Sequence, residues 1–476
     1  MKRYYITTTL PYVNAQPHIG FALEIIQADF FARAHRERGE EVIFNTGTDE
    51  HGQKIYKNAL EAGLDPKTYC DQFSATFNEL KALLNLSYTH FIRTTDEHHT
   101  KAAQEFWKRC QANGDIYKER YQAKYCVGCE LEKTDSELVN DRCPIHSNLE
   151  IELRDEENYF FRWSNYQEKL LEHYHSTQFV LPANRQQEIT NFVAAGLRDF
   201  SISRLAEKMP WGVPVPGDEA HVMYVWFDAL VNYISTLGWP NDGQFDDFWP
   251  GVQVAGKDNL RQQSAMWQAM LLSAGLPFSK QIFIHGFITA GGEKMSKSLG
   301  NVIRPVDLVT EFGAEAVRYY LLREIPNDDD GDYSEARMEE RFAELANQLG
   351  NLVSRVAAMA DKYFAGILPS VEMNFSSDQK ILDEAIDAYD PKRYLDAVFA
   401  VVARANDLTD KQAPFKLVKV DPDRAKQVLS ELATMIRWVG EMLAPALPTT
   451  STEILRRYDG DAIIVGDPLF PRRDQK

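Results

Sequence analysis

The chain opens on Tyr4-Tyr5-Ile6-Thr7-Thr8-Thr9, an aromatic and β-branched run that fits a half-buried pleated surface and predicts a strand. Pro11, Asn14 and Pro17 end it. From Ile19 to Arg38 apolar residues return at helical spacing (Ala22, Leu23, Ile25, Ile26, Phe30, Phe31), and Gly39 predicts the stop. Glu41-Val42-Ile43-Phe44-Asn45 predicts a second strand. Strand, helix and strand in direct succession form a βαβ unit, which implies a parallel sheet. Residues 55–115 read as helices. The stretches 157–161 and 165–174 continue an insertion, and 200–204 predicts a return to the sheet region. Residues 224–233 predict a helix with Trp226, Ala229 and Tyr233 on one face, a pattern that core packing alone also produces. Residues 254–258 end a further strand at a glycine turn, a helix over 259–275 follows, and the apolar run 282–288 reads as a buried strand. The chain turns helical from Val306. The acidic run 327–332 predicts a loop and a boundary. Residues 335–364, 377–389, 393–411 and 421–444 carry the 3.6-residue period with short connections, the pattern of an α-helical bundle.

At 476 residues the chain exceeds one compact core, and 44% hydrophobic with 26% charged residues is the composition of a soluble globular protein. No run approaches a membrane span and the start lacks a signal-peptide pattern, so a cytoplasmic protein without membrane contact is expected. The net charge is −18; residues 338–476 carry 18 basic and 22 acidic side chains, a net of −4, which leaves −14 for the rest. Neither part is a basic arm, so any contact with nucleic acid must come from local patches.

Three of the five cysteines fall in the pattern C-x2-C-x13-C-x2-H formed by Cys126, Cys129, Cys143 and His146. Three thiolates and one imidazole make a closed tetrahedral set suited to structural Zn²⁺. Cys70 and Cys110 stand alone and read as small buried hydrophobes.

Other candidate chemistry lies on loops. In Gly291-Gly292-Glu293-Lys294-Met295-Ser296-Lys297-Ser298-Leu299-Gly300, Lys294 and Lys297 sit three apart between glycines and can point two ammonium groups at a polyphosphate; alone, such a loop also reads as a solvated basic turn. His18 and Gly20 stand at a helix entry, where the N-terminus favours phosphate, although a capping or core histidine fits equally. Asp49 follows the second strand, where ligands sit in open parallel sheets, and could pair with an α-amino group or serve as a turn aspartate. Asp258, at its glycine turn, is placed for a ribose hydroxyl.

Residues 294–298 match the KMSKS signature of class I aminoacyl-tRNA synthetases, and 18–21 resemble their HIGH motif with Phe21 in place of the last histidine. The whole chain resembles methionyl-tRNA synthetase of the type with one zinc knuckle and no C-terminal extension. The resemblance rests on 9–14, 47–52, the knuckle, 158–161, 224–233, 256–258, the lysine loop and 349–352. It implies an α/β fold: a Rossmann-type parallel sheet in two parts (1–115 and 221–290), a zinc-bearing insertion (116–220), the lysine loop with a stem-contact region (291–337), and an α-helical anticodon-type bundle (338–476). The implied reaction joins methionine and ATP, with Mg²⁺, to methionyl-adenylate and then charges tRNA; a monomer is expected. By the same resemblance His18, Lys297 and Lys294 would act on the triphosphate, and Gly20, Glu24, Gly256 and Asp258 would hold ATP. Asp49 would bind the α-ammonium with Arg204 nearby. Leu10, Tyr12, Trp226, Ala229, Tyr233, Gln263 and Trp267 would line the amino-acid pocket, and Asn351, Arg355 and Phe415 would read the anticodon.

The chain departs from the family at Phe21, at Gln263 (a pocket histidine in the family) and at Phe415 (a stacking tryptophan). Two of the three changes fall in the catalytic pocket. They leave open a paralogue that adenylates another amino acid and passes it to a small hydroxylated acceptor, as in hydrazine biosynthesis, without tRNA. A catalytically silent tRNA-binding protein is a third reading, against which the intact lysine loop counts.

Overall fold

The computed structural model describes residues 2–471 other than 130, 134, 242 and 296–299, with the backbone alone at 121, 123, 131, 132, 136 and 154. The chain divides into two compact units. The first comprises Met1–Pro17, Glu41–Leu80 and Tyr88–Ile284; the second comprises His18–Glu40, Lys81–Ser87 and His285–Lys476.

A six-stranded sheet organises the first unit, in the order His90–Arg93, Glu41–Thr48, Arg3–Thr8, Val252–Gly256, Gln281–His285, Val180–Leu181. Arg3–Thr8 pairs in parallel with Glu41–Thr48 and with Val252–Gly256. The early strands extend the sheet to one side of Arg3–Thr8 and the late ones to the other. This reversal opens a crevice at the strands' carboxyl ends. Gly47 is fixed by the same sheet, because a Cβ there would lie 1.8 Å from the carbonyl oxygen of Ile92.

Four sequence-based expectations change here. Residues 55–115 are not all helical: Gln53–Glu61, Pro66–Leu83 and Glu97–Ala112 are helices, but His90–Arg93 is a strand. Four residues are too few to show a period against their neighbours, and pairing with 45–48 decides their state. Residues 200–204 do not rejoin the parallel sheet. Phe200–Ser201 pairs with the long hairpin of Ile116–Cys126 and Glu152–Phe161, and Ser203–Leu205 pairs antiparallel with Asp218–Met223. The helix over 224–233 is two short ones, Val225–Ala229 and Asn232–Ser235. The helix after Asp258 begins as a 3₁₀ turn, Lys257–Asn259, and carries a π turn at Gln262–Met266 before Trp267–Ser273. Carbonyls in the π turn are taken up from outside: the Trp163 indole donates to Ala265 O at 3.4 Å and the Tyr174 hydroxyl to Ser264 O.

The second unit holds helix Ile19–Glu37 and the bundle Glu335–Glu344, Asn351–Phe364, Ser376–Asp387, Pro391–Gln412, Pro422–Leu443 and Pro448–Tyr458, with a π turn at Leu345–Gly350. Two of its longest helices start on an Asp-Pro pair. The Asp390 and Asp421 carboxylates accept from the backbone N–H of Arg393 and Arg424 at 2.9 and 3.0 Å, and the proline takes the first helical position, where no N–H is needed. The same logic makes Pro448 a start, so the bundle runs past 444 where the sequence pattern ended it. The acidic run 327–332 is also more than a boundary: it leads into Gly331–Tyr333, a strand paired in parallel with Ile288–Ala290. No helix among the described residues is long and apolar enough to cross a membrane.

Asp29 and Arg318, both fully buried, tie helix Ile19–Glu37 to Ala314–Arg323 at 2.8 Å. The guanidinium also donates to the carbonyls of Ala446, Leu84 and Pro445 at 2.8, 3.1 and 3.2 Å. Burial alone would raise the Asp29 carboxyl; Arg318, Arg33 and Ser87 outweigh it and hold it below the ordinary range. Asp29→Ala leaves this cation buried without its counter-ion and should destabilise the protein by about 3–5 kcal/mol in urea unfolding; a change under about 1 kcal/mol would refute the assignment.

Candidate active site and metal cluster

Backbone bonding at the mouth of the crevice places the amino-acid candidates of the first unit. Asp49 N–H donates to Pro11 O at 3.0 Å and Val13 N–H to Asp49 O at 3.2 Å, so Tyr12 and Asp49 face each other as a parallel bridge. Leu10 and Tyr12 are half-buried and Asp49 is 8% exposed. Thr9 N–H donates to Val254 O at 3.2 Å and brings the same loop beside the strand that ends at buried Gly256; Asp258, just beyond, is exposed.

Arg204 is buried, with its guanidinium between the rings of Tyr125 (5.1 Å) and Tyr224 (4.6 Å) and donating to Ser201 Oγ and Ser203 O at 2.9 and 2.7 Å. It shares a cavity of about 330 Å³ with Gly52, Gln53 and Lys208. Tyr233 and Trp267 are buried with rings at 65° and 5.9 Å between centroids. Gln263 lies beside them, its amide donating to the Tyr233 hydroxyl at 2.7 Å. Ala229 is buried and Trp226 half-buried.

The phosphate candidates belong to the second unit. His18 is the N-cap of helix Ile19–Glu37, and its Nδ1 accepts from Gly20 N–H at 3.1 Å. Nδ1 therefore carries no proton, so the neutral ring is protonated on Nε2 and that nitrogen is a donor. A Cβ on Gly20 would meet the ring at 3.0 Å, so the ring would have to shift to admit one. Capping and phosphate binding are thus compatible uses of one residue. Phe21 is half-buried. Glu24 is buried and its Oε2 lies 3.1 Å from His285 Nε2, so its carboxylate is engaged inside the unit.

Gly291 and Gly292, both at positive φ, turn a two-residue hairpin between Ile288–Ala290 and Glu293–Lys294. Lys294 is exposed, with its ammonium 4.7 Å from the Phe287 ring centre. Lys297, with Ser296 and Ser298, lies outside the described residues.

Ligand atoms of Cys126, Cys129, Cys143 and His146 all lie within 4.8 Å of one another. Cys129 Sγ is 3.5 Å from Cys143 Sγ and 3.2 Å from His146 Nδ1, and Cys126 Sγ is 3.8 Å from the same nitrogen. Gly128 is needed for closure, because a Cβ would sit 2.5 Å from the His146 ring.

The family described as tRNA synthetases class I (M) matches residues 4–149 and 129–357. Methionine–tRNA ligase of Clostridium perfringens is 41% identical, over 99% of this chain and 78% of its own. That of Thermosynechococcus vestitus is 44% identical, over 94% and 88%. The solved methionyl-tRNA synthetase of Mycobacterium tuberculosis in complex with methionyl-adenylate superposes with a TM-score of 0.93 at 36% identity, covering 99% of this chain and all of that one.

The chain belongs to the methionine-type class I tRNA synthetases.

For a member of this family, the positions matched to anticodon readers lie on the bundle surface. Asn351 and Phe415 are exposed, and Arg355 reaches Asp410 at 3.4 Å on the helix that leads to Phe415.

Two buried clusters that hold the first unit's loops lie outside the residues singled out in the sequence. Glu50, fully buried, receives Arg93 Nε and Nη2 at 2.6 and 2.8 Å and the hydroxyls of Thr48 and Thr95 at 2.7 and 2.5 Å, which fixes the residue next to Asp49. Asp228, between Trp226 and Ala229, lies 2.6 Å from His51 Nδ1 and 2.9 Å from His99 Nε2. A buried carboxylate in a helix-like apolar pattern was the available hint.

Burial would raise the Asp228 carboxyl, but the two imidazoles outweigh it and bring it from 3.8 to about 2. A depressed carboxyl contributes stability above its unfolded pKa and loses it as pH falls through the folded one. Asp228→Asn should therefore cost on the order of 2 kcal/mol at pH 6, and the gap to wild type should close between about pH 4 and 2 in urea unfolding. A gap independent of pH would contradict this assignment.

Proposed function

We infer that the protein is a methionine–tRNA ligase that joins methionine and ATP to methionyl-adenylate and transfers the methionyl group to tRNA. The observation that carries this is the likeness, over 99% of the chain at 36% identity, to an enzyme solved with methionyl-adenylate. The named relatives are all methionine–tRNA ligases, and no observation favours transfer to a small acceptor.

In the first step a methionine carboxylate oxygen attacks the α-phosphorus of ATP, which enters with Mg²⁺. The bond from that phosphorus to the bridging oxygen breaks and pyrophosphate leaves. Asp49 holds the α-ammonium by charge, with Arg204 nearby. Leu10, Tyr12, Trp226, Ala229, Tyr233 and Trp267 enclose the side chain, and Gly256 and Asp258 hold the adenosine. His18, through Nε2–H, and the Lys294 and Lys297 ammonium groups compensate charge as it moves onto pyrophosphate; Gly20 keeps the helix N-terminus open to phosphate. Positioning and charge compensation supply most of the acceleration in such displacements. Phe21 cannot donate a hydrogen bond, so this chain relies on fewer donors than the four-residue motif it resembles. In the second step a terminal tRNA hydroxyl attacks the adenylate carbonyl and AMP leaves. Asn351, Arg355 and Phe415 recognise the anticodon, Phe415 by stacking.

The four-ligand cluster suits zinc: soft thiolates with one imidazole, at mutual distances of a tetrahedral set. Zinc bound there would supply a cross-link between the knuckle's two turns.

Two measurements test this. Pyrophosphate exchange into ATP across the twenty amino acids should show methionine as the best substrate, and silence with methionine would sink the ligase reading. Elemental analysis should find about one zinc per chain, lost in Cys143→Ser; a metal-free wild type that charges tRNA would remove the metal from the account.

A further inference from the structure

The turn that carries Asp49 is held at each residue by a different part of the first unit. Asp49 is bonded through its backbone to Pro11 and Val13, the Glu50 carboxylate to Arg93, and the His51 imidazole lies 2.6 Å from Asp228. The fourth hold comes from Trp211, a half-buried residue that the reaction above does not use. Its indole N–H donates to Glu50 O at 2.6 Å, and its own carbonyl accepts from Gly52 N–H at 3.3 Å. An indole nitrogen can only donate, so the direction of the first bond is unambiguous. Two bonds of opposite direction between one residue and one turn fix distance and orientation together. The indole also meets the His51 ring edge-on, with centroids 5.6 Å apart. Trp211 is fixed in turn from its other side. A Cβ on Gly212 would lie 3.2 Å from Val222 Cβ, and Val213 O accepts from Met223 N–H at 2.7 Å. Val222 is the register partner of Arg204 where Ser203–Leu205 pairs with Asp218–Met223. Trp211 thus ties the turn that carries Asp49 to the strands that carry Arg204.

We propose, resting on the reading of Asp49 as the partner of the α-ammonium, that Trp211 is a positioning residue for that group: its two bonds set where the Asp49 carboxylate stands relative to the Arg204 guanidinium. Asp49 is 8% exposed, so its charge is screened less than on a surface, and a small displacement of the turn is felt by a bound ammonium. Glu50 O is the sensitive point. Without the indole it keeps the Cys70 thiol at 3.4 Å, a weak donor. The ammonium takes no part in the displacement at phosphorus, so the clamp acts equally on bound substrate and transition state, and its loss falls on KM and not on kcat. A ligand without an ammonium has nothing for the clamp to align.

Trp211→Phe keeps a ring beside His51 and removes the N–H. In pyrophosphate exchange it should raise KM for methionine by roughly 3–10-fold, the worth of one neutral hydrogen bond, with kcat and KM for ATP changed less than about twofold. Two inhibitors that compete with methionine separate positioning from a general loosening of the fold. Methioninol, which has the ammonium without the carboxylate, should lose affinity by the same factor. The deamino analogue 4-(methylthio)butanoate, which has the carboxylate without the ammonium, should lose less than about twofold. Benzothienylalanine at position 211, which has the shape of tryptophan with sulfur in place of N–H, should give the same pattern and covers the case in which the phenylalanine protein does not fold. An unchanged KM for methionine, or an equal loss for the two inhibitors, overturns the clamp. Asp49→Asn with unchanged affinity for methioninol would instead strike the reading of Asp49, and wild type inert with methionine the ligase reading, so the failures are distinguishable.

Discussion

Strand Arg3–Thr8 is bonded in parallel to Glu41–Thr48 on one side and to Val252–Gly256 on the other, and the loop that carries Leu10 and Tyr12 hangs from those bonds. Its carboxyl end continues into Thr9–Tyr12, which the strands on both sides hold by backbone hydrogen bonds. Lose either pairing and Leu10, Tyr12, Asp49 and Gly256 have no common frame. Side-chain chemistry comes second: a carboxylate is useful near an α-ammonium only once the loop beneath it is fixed.

The fixing is done by buried polar groups, each arranged so that no charge lies alone. Glu50 is neutralised by Arg93 and Asp29 by Arg318 and Arg33, and Asp228 lies within hydrogen-bond distance of two imidazoles. Unpaired, each would cost several kcal/mol of lost solvation; paired, each admits one arrangement of its neighbours. The Gln263 amide, donating to the Tyr233 hydroxyl, follows the same rule without charge.

The zinc-type knuckle shows how far spacing can go. Its four ligands lie within 21 residues in the sequence, and two tight turns suffice to converge them. His18 is similar: a histidine just before a helix, with glycine two residues on, caps that helix for reasons contained in three residues.

The sequence alone therefore determined the βαβ start, the periods of the bundle helices, the convergence of Cys126, Cys129, Cys143 and His146 and the family, because each depends on bonds between residues close in the chain or on a motif read as a unit. Tertiary structure decided the rest. It made a strand of His90–Arg93, turned Phe200–Ser201 onto the hairpin, split the helix that carries Trp226 and Tyr233, and put a π turn at Gln262–Met266. It also chose the partners of Glu50, Asp228 and Gln263, which lie up to 177 residues away in sequence. A backbone group short of a local partner takes the one that packing brings to it, and a buried side chain takes the protonation and direction its distant neighbours allow. Those choices exist only once the chain is folded.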